Sequence, residues 1–219
     1  EEDFFAEELS IIRSYDLREE FPPHVEKEAK KQQNKGISPQ DIENRRDFRG
    51  LPIVTIDGAD TRDIDDAVSL EKKNGEYLLG VHIADVSHYV AYRSPLDMEA
   101  FERGTSVYFP DCVLPMLPRA LSNGICSLNE GEDRLTLSCL MRINQKGTVK
   151  SSEIVEGVIR SAHKMTYREV TKILDGDKET TEKYADVKDM VFLFAELTRI
   201  LQKKREQKGS VTLDVKEAK

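Results

Sequence analysis

Five aspartates fall within ten residues in the stretch Ile53-Val-Thr-Ile-Asp57-Gly-Ala-Asp60-Thr-Arg-Asp63-Ile-Asp65-Asp66-Ala-Val68. Two carboxylates ~4 Å apart repel by roughly 4 kcal/mol at an effective dielectric of 20. A chain that packs them together either leaves them in water or supplies cations. Carboxylate oxygens are hard donors and suit Mg²⁺ or Mn²⁺. Such ions serve phosphoryl chemistry by activating water, stabilising a leaving oxygen and neutralising phosphate charge. Chemistry alone therefore points to metal-dependent hydrolysis of a phosphodiester or phosphate ester. An EF-hand loop beginning at Asp57 fails, because its third, sixth and twelfth positions hold Ala59, Arg62 and Val68. The plainer alternative, a solvated acidic turn, is weakened by the apolar β-branched runs on either side. If Asp65 and Asp66 are extended they point to opposite faces, and Asp63 shares a face with Asp65. Asp66 then joins Asp57 only across a backbone kink.

Strands are expected at 53–56 and 67–70, carrying the chain into and out of this turn. Asn74-Gly75 is a two-residue hairpin signal. The apolar run over 77–86 reads as a central strand. Residues 134–144 and 148–161 alternate around Gln145-Lys-Gly147 and predict a second, longer hairpin. Helices are expected over 24–35 (polar, on the surface, ended by Gly36), from the N-cap Ser38 to about Arg46, and from Ser94-Pro95 to Gly104. Others are expected from Pro118 to about Gly124, over 167–174 capped by Thr166, and over 185–206. Thr105–Phe109 and Val211–Val215 read as short strands; residues 1–21 fit either a helix or an extended arm. The irregular alternation, with two antiparallel hairpins, predicts an α+β fold: a mixed, largely antiparallel sheet with flanking helices. Residues 1–50 read as a lead-in, and 51–219 as the compact domain.

The formal net charge of −8 argues against simple phosphate-backbone binding by a basic surface. It leaves a nucleic-acid enzyme open, because metal-binding carboxylates are themselves negative. No apolar run reaches membrane-spanning length and no signal-peptide pattern appears. The chain begins Glu1-Glu2-Asp3 without Met and reads as a piece of something longer. Cys112, Cys126 and Cys139 lack zinc-type spacing and are expected to be buried, reduced thiols in a cytoplasmic protein.

Asp57-Gly-Ala-Asp-Thr-Arg-Asp63-Ile-Asp65-Asp66-Ala, His82-Ile-Ala-Asp85-Val-Ser-His-Tyr-Val, Pro115-Met-Leu-Pro-Arg-Ala-Leu-Ser and Cys126-Ser-Leu occur in this order. Together they closely resemble the N-terminal part of the RNB catalytic domain of the ribonuclease II/ribonuclease R family, more in the manner of bacterial ribonuclease R. The resemblance implies a processive 3′→5′ exoribonuclease that hydrolyses single-stranded RNA to nucleoside 5′-monophosphates with Mg²⁺, or with Mn²⁺ in its place; no DNA or membrane partner is expected. It implies that Asp57, Asp63, Asp65 and Asp66 are the catalytic, metal-binding set. Asp57 and Asp66 would be the more direct ligands, and loss of Asp65 the most damaging. Asp60 matches no catalytic position and is left as a turn residue. Tyr108 matches an aromatic that packs on the RNA near its 3′ end, and Tyr167 one that contacts a terminal nucleotide. Stacking on a base is sequence-tolerant and contributes ~1–3 kcal/mol per base; a half-buried core tyrosine is the alternative for each. The four histidines read as structural, and Asp85 as a residue that orients a neighbour. Residues 1–50 resemble the link from a preceding cold-shock domain. The family's later arginine-rich segment, a further glutamate and an aromatic clamp do not appear before Lys219, so the chain alone is expected to be a weak or inactive nuclease. A non-catalytic RNB-like module that binds RNA or protein is the competing reading.

Overall fold

The computed structural model describes residues 2–110 and 112–211. Its elements run α1 (Glu2–Ser14), α2 (Pro23–Lys35), α3 (Pro39–Glu43), β1 (Arg46–Asp47), β2 (Val54–Asp57), β3 (Asp66–Lys73), β4 (Glu76–Ala84), α4 (Val86–Tyr89) and α5 (Pro95–Arg103). They continue through β5 (Val107–Tyr108), β6 (Val113–Leu114), a π-helical turn (Ala120–Ile125), β7 (Asp133–Ile143), β8 (Val149–Arg160), β9 (His163–Thr166), α6 (Tyr167–Leu174), α7 (Lys178–Lys183) and α8 (Lys188–Gln207). The chain packs as two compact units: one from the stretch up to Gly36 with Val86–Cys126, the other from Ile37–Asp85 with the described residues from Ser127 onward.

The second unit is built on a seven-stranded sheet in the order β1-β8-β7-β4-β3-β2-β9. Its interior pairs are antiparallel; at the ends β1 joins β8 and β9 joins β2 in parallel. This is the mixed, largely antiparallel sheet with flanking helices that the hydrophobic pattern implies. Lys73 pairs with Glu76, and Asn74 and Gly75 both take positive φ (52° and 78°), as a tight hairpin turn requires. One face of the sheet carries the apolar core, in which Val54, Leu70, Tyr77 and Met165 pack with Ile173 of α6 and Leu197 of α8. Tyr77 keeps its hydroxyl satisfied by donating to Glu196 of α8 (2.7 Å). Thr166 caps α6 reciprocally: Thr166 Oγ1 accepts from Glu169 N (3.1 Å), and the Glu169 carboxylate accepts from Thr166 N (2.9 Å).

In the first unit α2 packs against α5 and the π-helical turn. Arg103 organises the rest. It donates to Arg18 O (2.9 Å), Glu20 O (2.7 Å) and Glu99 (3.0 Å) and lies 3.6 Å above the Phe21 ring.

The polar helix α2 stands as expected, ended by Gly36 and mostly solvent-facing, and it seats on two small buried residues, Val25 and Ala29. Several local expectations need correction. The helix capped by Ser38 stops at Glu43, because Arg46 and Asp47 are drawn into the sheet against Gly157 and Val158. The helix expected from Pro118 is a wide π turn with Gly124 outside helical geometry, its Cys126 N bonding Leu121 O (3.0 Å). The span 185–206 is α8 alone, starting at Lys188, preceded by the unanticipated α7. Cys126 is buried and Cys112 exposed, and none of the three thiols forms a disulfide. The strand expected at Val211–Val215 lies, apart from Val211, outside the described residues. No helix among the described residues is long and apolar enough to cross a membrane.

Candidate active site

β2 delivers Asp57 as its last residue and β3 begins with Asp66, so residues 58–65 form the connecting loop. Thr61 N donates to Gly58 O (3.3 Å), a turn that leaves Asp60 exposed. Beyond it the loop is fastened through its backbone. Ile64 is buried, its N–H donates to Ser127 Oγ (3.1 Å), and its carbonyl accepts from Leu128 N (2.9 Å). Ser127 Oγ donates to Arg62 O (2.8 Å), and Ala84 N donates to Asp65 O (2.9 Å). Anchoring Ile64 inward leaves the flanking carboxylates out of the core, Asp63 half-buried and Asp65 exposed.

The parallel edge strand β9 supplies the other wall. Its register sets Thr55 against Lys164 and Asp57 against Thr166. Lys164 Nζ reaches the acidic loop and donates to Thr61 O. Tyr167, the next residue after Asp57's partner, stands 65% exposed at the start of α6. Tyr108, on β5 of the first unit, is 64% exposed. Neither is a half-buried core tyrosine.

The carboxylates feel one another. Burial lifts the Asp57 carboxyl above its ordinary range, and Asp66 and Asp63 add repulsion; Lys164 and, more weakly, the Thr55 hydroxyl draw it partly back. Asp65 is likewise lifted, first by lost hydration and then by Asp63, Asp66 and Asp57. Asp57 Oδ2 and Thr55 Oγ1 are both buried without a hydrogen-bond partner in good geometry. For an ionised oxygen that is a costly state. A buried hard oxygen within a mutually repelling acidic set is donor chemistry that suits a divalent cation. Among the described residues, however, no three His, Cys, Asp or Glu side chains already stand close enough together to hold one.

With this geometry in hand, comparison places the chain. Residues 45–219 match the RNB domain family. The chain belongs to that family. Ribonuclease R of Thermotoga maritima is 48% identical over 209 residues, covering 94% of this chain and 29% of that protein. Ribonuclease R 1 of Lactococcus lactis is 46% identical over 212 residues, covering 96% of this chain and 26% of that one. The structure of Mycoplasma genitalium RNase R in complex with ribose-methylated single-stranded RNA matches with a TM-score of 0.82 at 29% identity, covering 94% of this chain and 32% of that chain. The chain thus spans about a quarter to a third of the length of these relatives.

Within this RNB domain the remaining candidates separate clearly. His82 is fully buried between the hydroxyls of Ser69 (3.1 Å) and Ser138 (2.8 Å), and burial pushes its pKa down to about 4. His163 pairs with Asp186 at 2.8 Å. Asp85 does orient a neighbour: it accepts from Arg45 at 2.6 Å in a buried ion pair. Residue-by-residue reading missed Ser127 and Lys164. Ser127 sits inside the Cys126-Ser-Leu motif, whose presence was visible but whose contact with the acidic loop was not. Lys164 carries no signal beyond being the lysine of a short edge strand.

Proposed function

We propose that this chain is the acidic half of the catalytic site of a 3′→5′ exoribonuclease that hydrolyses single-stranded RNA to nucleoside 5′-monophosphates in the cytoplasm. The observation that carries the reading is Asp57 Oδ2, buried without a partner in good geometry, with Asp57 and Asp65 lifted above the ordinary carboxylate range first by burial and then by their acidic neighbours. Asp57, Asp63, Asp65 and Asp66 would hold Mg²⁺, or Mn²⁺ in its place. The bound ion would lower the pKa of a water and neutralise charge at the scissile phosphate. Lys164 keeps the loop closed through Thr61 O and offsets part of the negative charge around Asp57. Tyr167, beside the end of β2, offers an aromatic face to a terminal base, and Tyr108 offers another. The relatives named ribonuclease R, and the Mycoplasma RNase R solved in complex with single-stranded RNA, support the substrate class.

The same reading assigns 1–50 to a link from a preceding cold-shock domain and 51–219 to the N-terminal part of the RNB domain. It leaves the basic wall of the site to sequence outside these residues. The 219-residue chain is therefore expected to degrade a single-stranded oligoribonucleotide weakly or not at all. Processive, EDTA-sensitive digestion by the chain itself would overturn that part. In a full-length protein carrying this chain, Asp65→Asn is expected to slow release of nucleoside monophosphates by on the order of a thousandfold. A wild-type rate would refute the catalytic reading and leave the non-catalytic binding module in its place.

A further inference from the structure

Ser127 is fully buried, and its hydroxyl is spent on the backbone of the acidic loop. It accepts from Ile64 N (3.1 Å) and donates to Arg62 O (2.8 Å); Asn129 Oδ1, at 3.2 Å, is the longer alternative acceptor for the same proton. Its neighbour Leu128 closes the third bond, to Ile64 O (2.9 Å). The serine is itself held. Arg134, buried on β7, donates through Nε to Ser127 O (2.7 Å). A rigid strand thus fixes an arginine, the arginine fixes a serine, and the serine fixes the residue between Asp63 and Asp65.

We propose that Ser127, braced by Arg134, is the positioning residue of the acidic set. It touches neither substrate nor metal. It sets where the Asp63 and Asp65 carboxylates stand by clamping Arg62 and Ile64 on either side of Asp63. The inference rests on the functional reading above. Physically, four like charges push the loop open, and a hydroxyl that both accepts and donates opposes that push without adding charge of its own. Alanine at this position leaves the buried Ile64 N–H without a partner and frees Arg62 O. Such a loss costs more than the net worth of the bond, because a buried donor left unmade carries its full desolvation penalty.

The test uses the 219-residue chain and two readouts: amide hydrogen exchange, and Mn²⁺-induced broadening of the amide signals of Asp63, Asp65 and Asp66. Ser127→Ala is expected to raise exchange at Ile64 about tenfold or more while the interior amides of β7, such as Leu137 and Cys139, keep their protection. It is expected to raise the Mn²⁺ concentration needed for half-maximal broadening by a similar factor. Ser127→Cys, near in shape but a weaker donor and acceptor, is expected to fall between alanine and wild type in both. Unchanged Ile64 exchange in both variants overturns the proposal. So does faster exchange with unaltered Mn²⁺ broadening, which reduces Ser127 to a structural role. A wild-type chain that shows no broadening even at millimolar Mn²⁺ defeats the inference, while the functional reading stands or falls with Asp65→Asn in the full-length protein. Normal wild-type broadening that Ser127→Ala leaves untouched defeats the inference alone.

Discussion

Two polar clusters sit on the same strands and are treated in opposite ways. Asp66 opens β3 opposite Ile83 of β4, and one position along, Ala67 faces His82. Around His82 every polar group is matched. Ser69 and Ser138 flank the ring, Thr136 Oγ1 lies 2.9 Å from Ser138 Oγ, and the Arg45–Asp85 pair sits in the same unit with Arg45 also donating to Thr136 O (3.3 Å). Around Asp57 the balance fails: one oxygen is buried without a partner in good geometry, burial and then like charges lift the carboxyl above its ordinary range, and Lys164 compensates only in part. A satisfied buried network specifies a fold. An unsatisfied one at the rim of a sheet costs stability, a cost often found at functional sites. The contrast is what separates structural polarity from a site here, since both clusters are rich in titratable residues.

The largest stability effect expected from this contrast comes from breaking the matched cluster. Arg45→Met removes the guanidinium paired with the buried Asp85 carboxylate, and should destabilise the chain by about 4 kcal/mol in denaturant unfolding. A loss near zero would mean the pair is not buried as described.

Acid should act next. His82 is fully buried and its folded pKa of about 4 lies below its ordinary value of 6.5. The unfolded chain then binds the extra proton first. Stability is complete above about pH 6.5 and is lost as pH falls towards 4, by about 3 kcal/mol for a shift of that size. Urea midpoints measured across that window, with imidazole NMR reporting the titration, check both sign and size.

The acidic turn should show the opposite sign. Asp57 and Asp65 have folded pKa values raised above the ordinary range. Their contribution favours folding at pH below the ordinary carboxylate pKa and is lost as pH rises through the raised values. Asp57→Asn removes one of the repelling charges, so at neutral pH it should raise the melting temperature slightly while weakening Mn²⁺ binding. A variant that is less stable at neutral pH would show that Asp57 is structurally satisfied, and would erase the distinction between the two clusters.

Much of this was legible from residue order. Asn74-Gly75 marks its hairpin because such residues take two consecutive positive φ values cheaply. Ser38, Ser94 and Thr166 mark helix starts because a side-chain oxygen there satisfies an orphan N–H. The aspartates stand out through charge density alone. What could not be read is what arrives from afar. Ser127 reaches Ile64 across 63 residues, and Lys164 reaches Thr61 across 103. No local period records either contact. The burial of Val25 and Ala29 is hidden for the same reason, since a helix with so few apolar residues scores as solvent-facing until its partners are known. Arg46-Asp47 reads as the end of a helix because its strand partners, Gly157 and Val158, come so much later in the chain.

That long reach also sets an order of events. The β3–β4 hairpin can close as soon as its own residues exist. The loop carrying Asp63 and Asp65 has to wait for Ser127, and its second wall for β9. Non-local closure of this kind is slow compared with hairpin formation. During synthesis the aspartates therefore leave the ribosome well before the groups that arrange them, and the acidic loop should be among the last features to take shape. Pulse-labelled exchange during refolding should show protection at Val68 and Val81 appearing before protection at Ile64. A chain built this way acquires its strands early and its capacity for chemistry late.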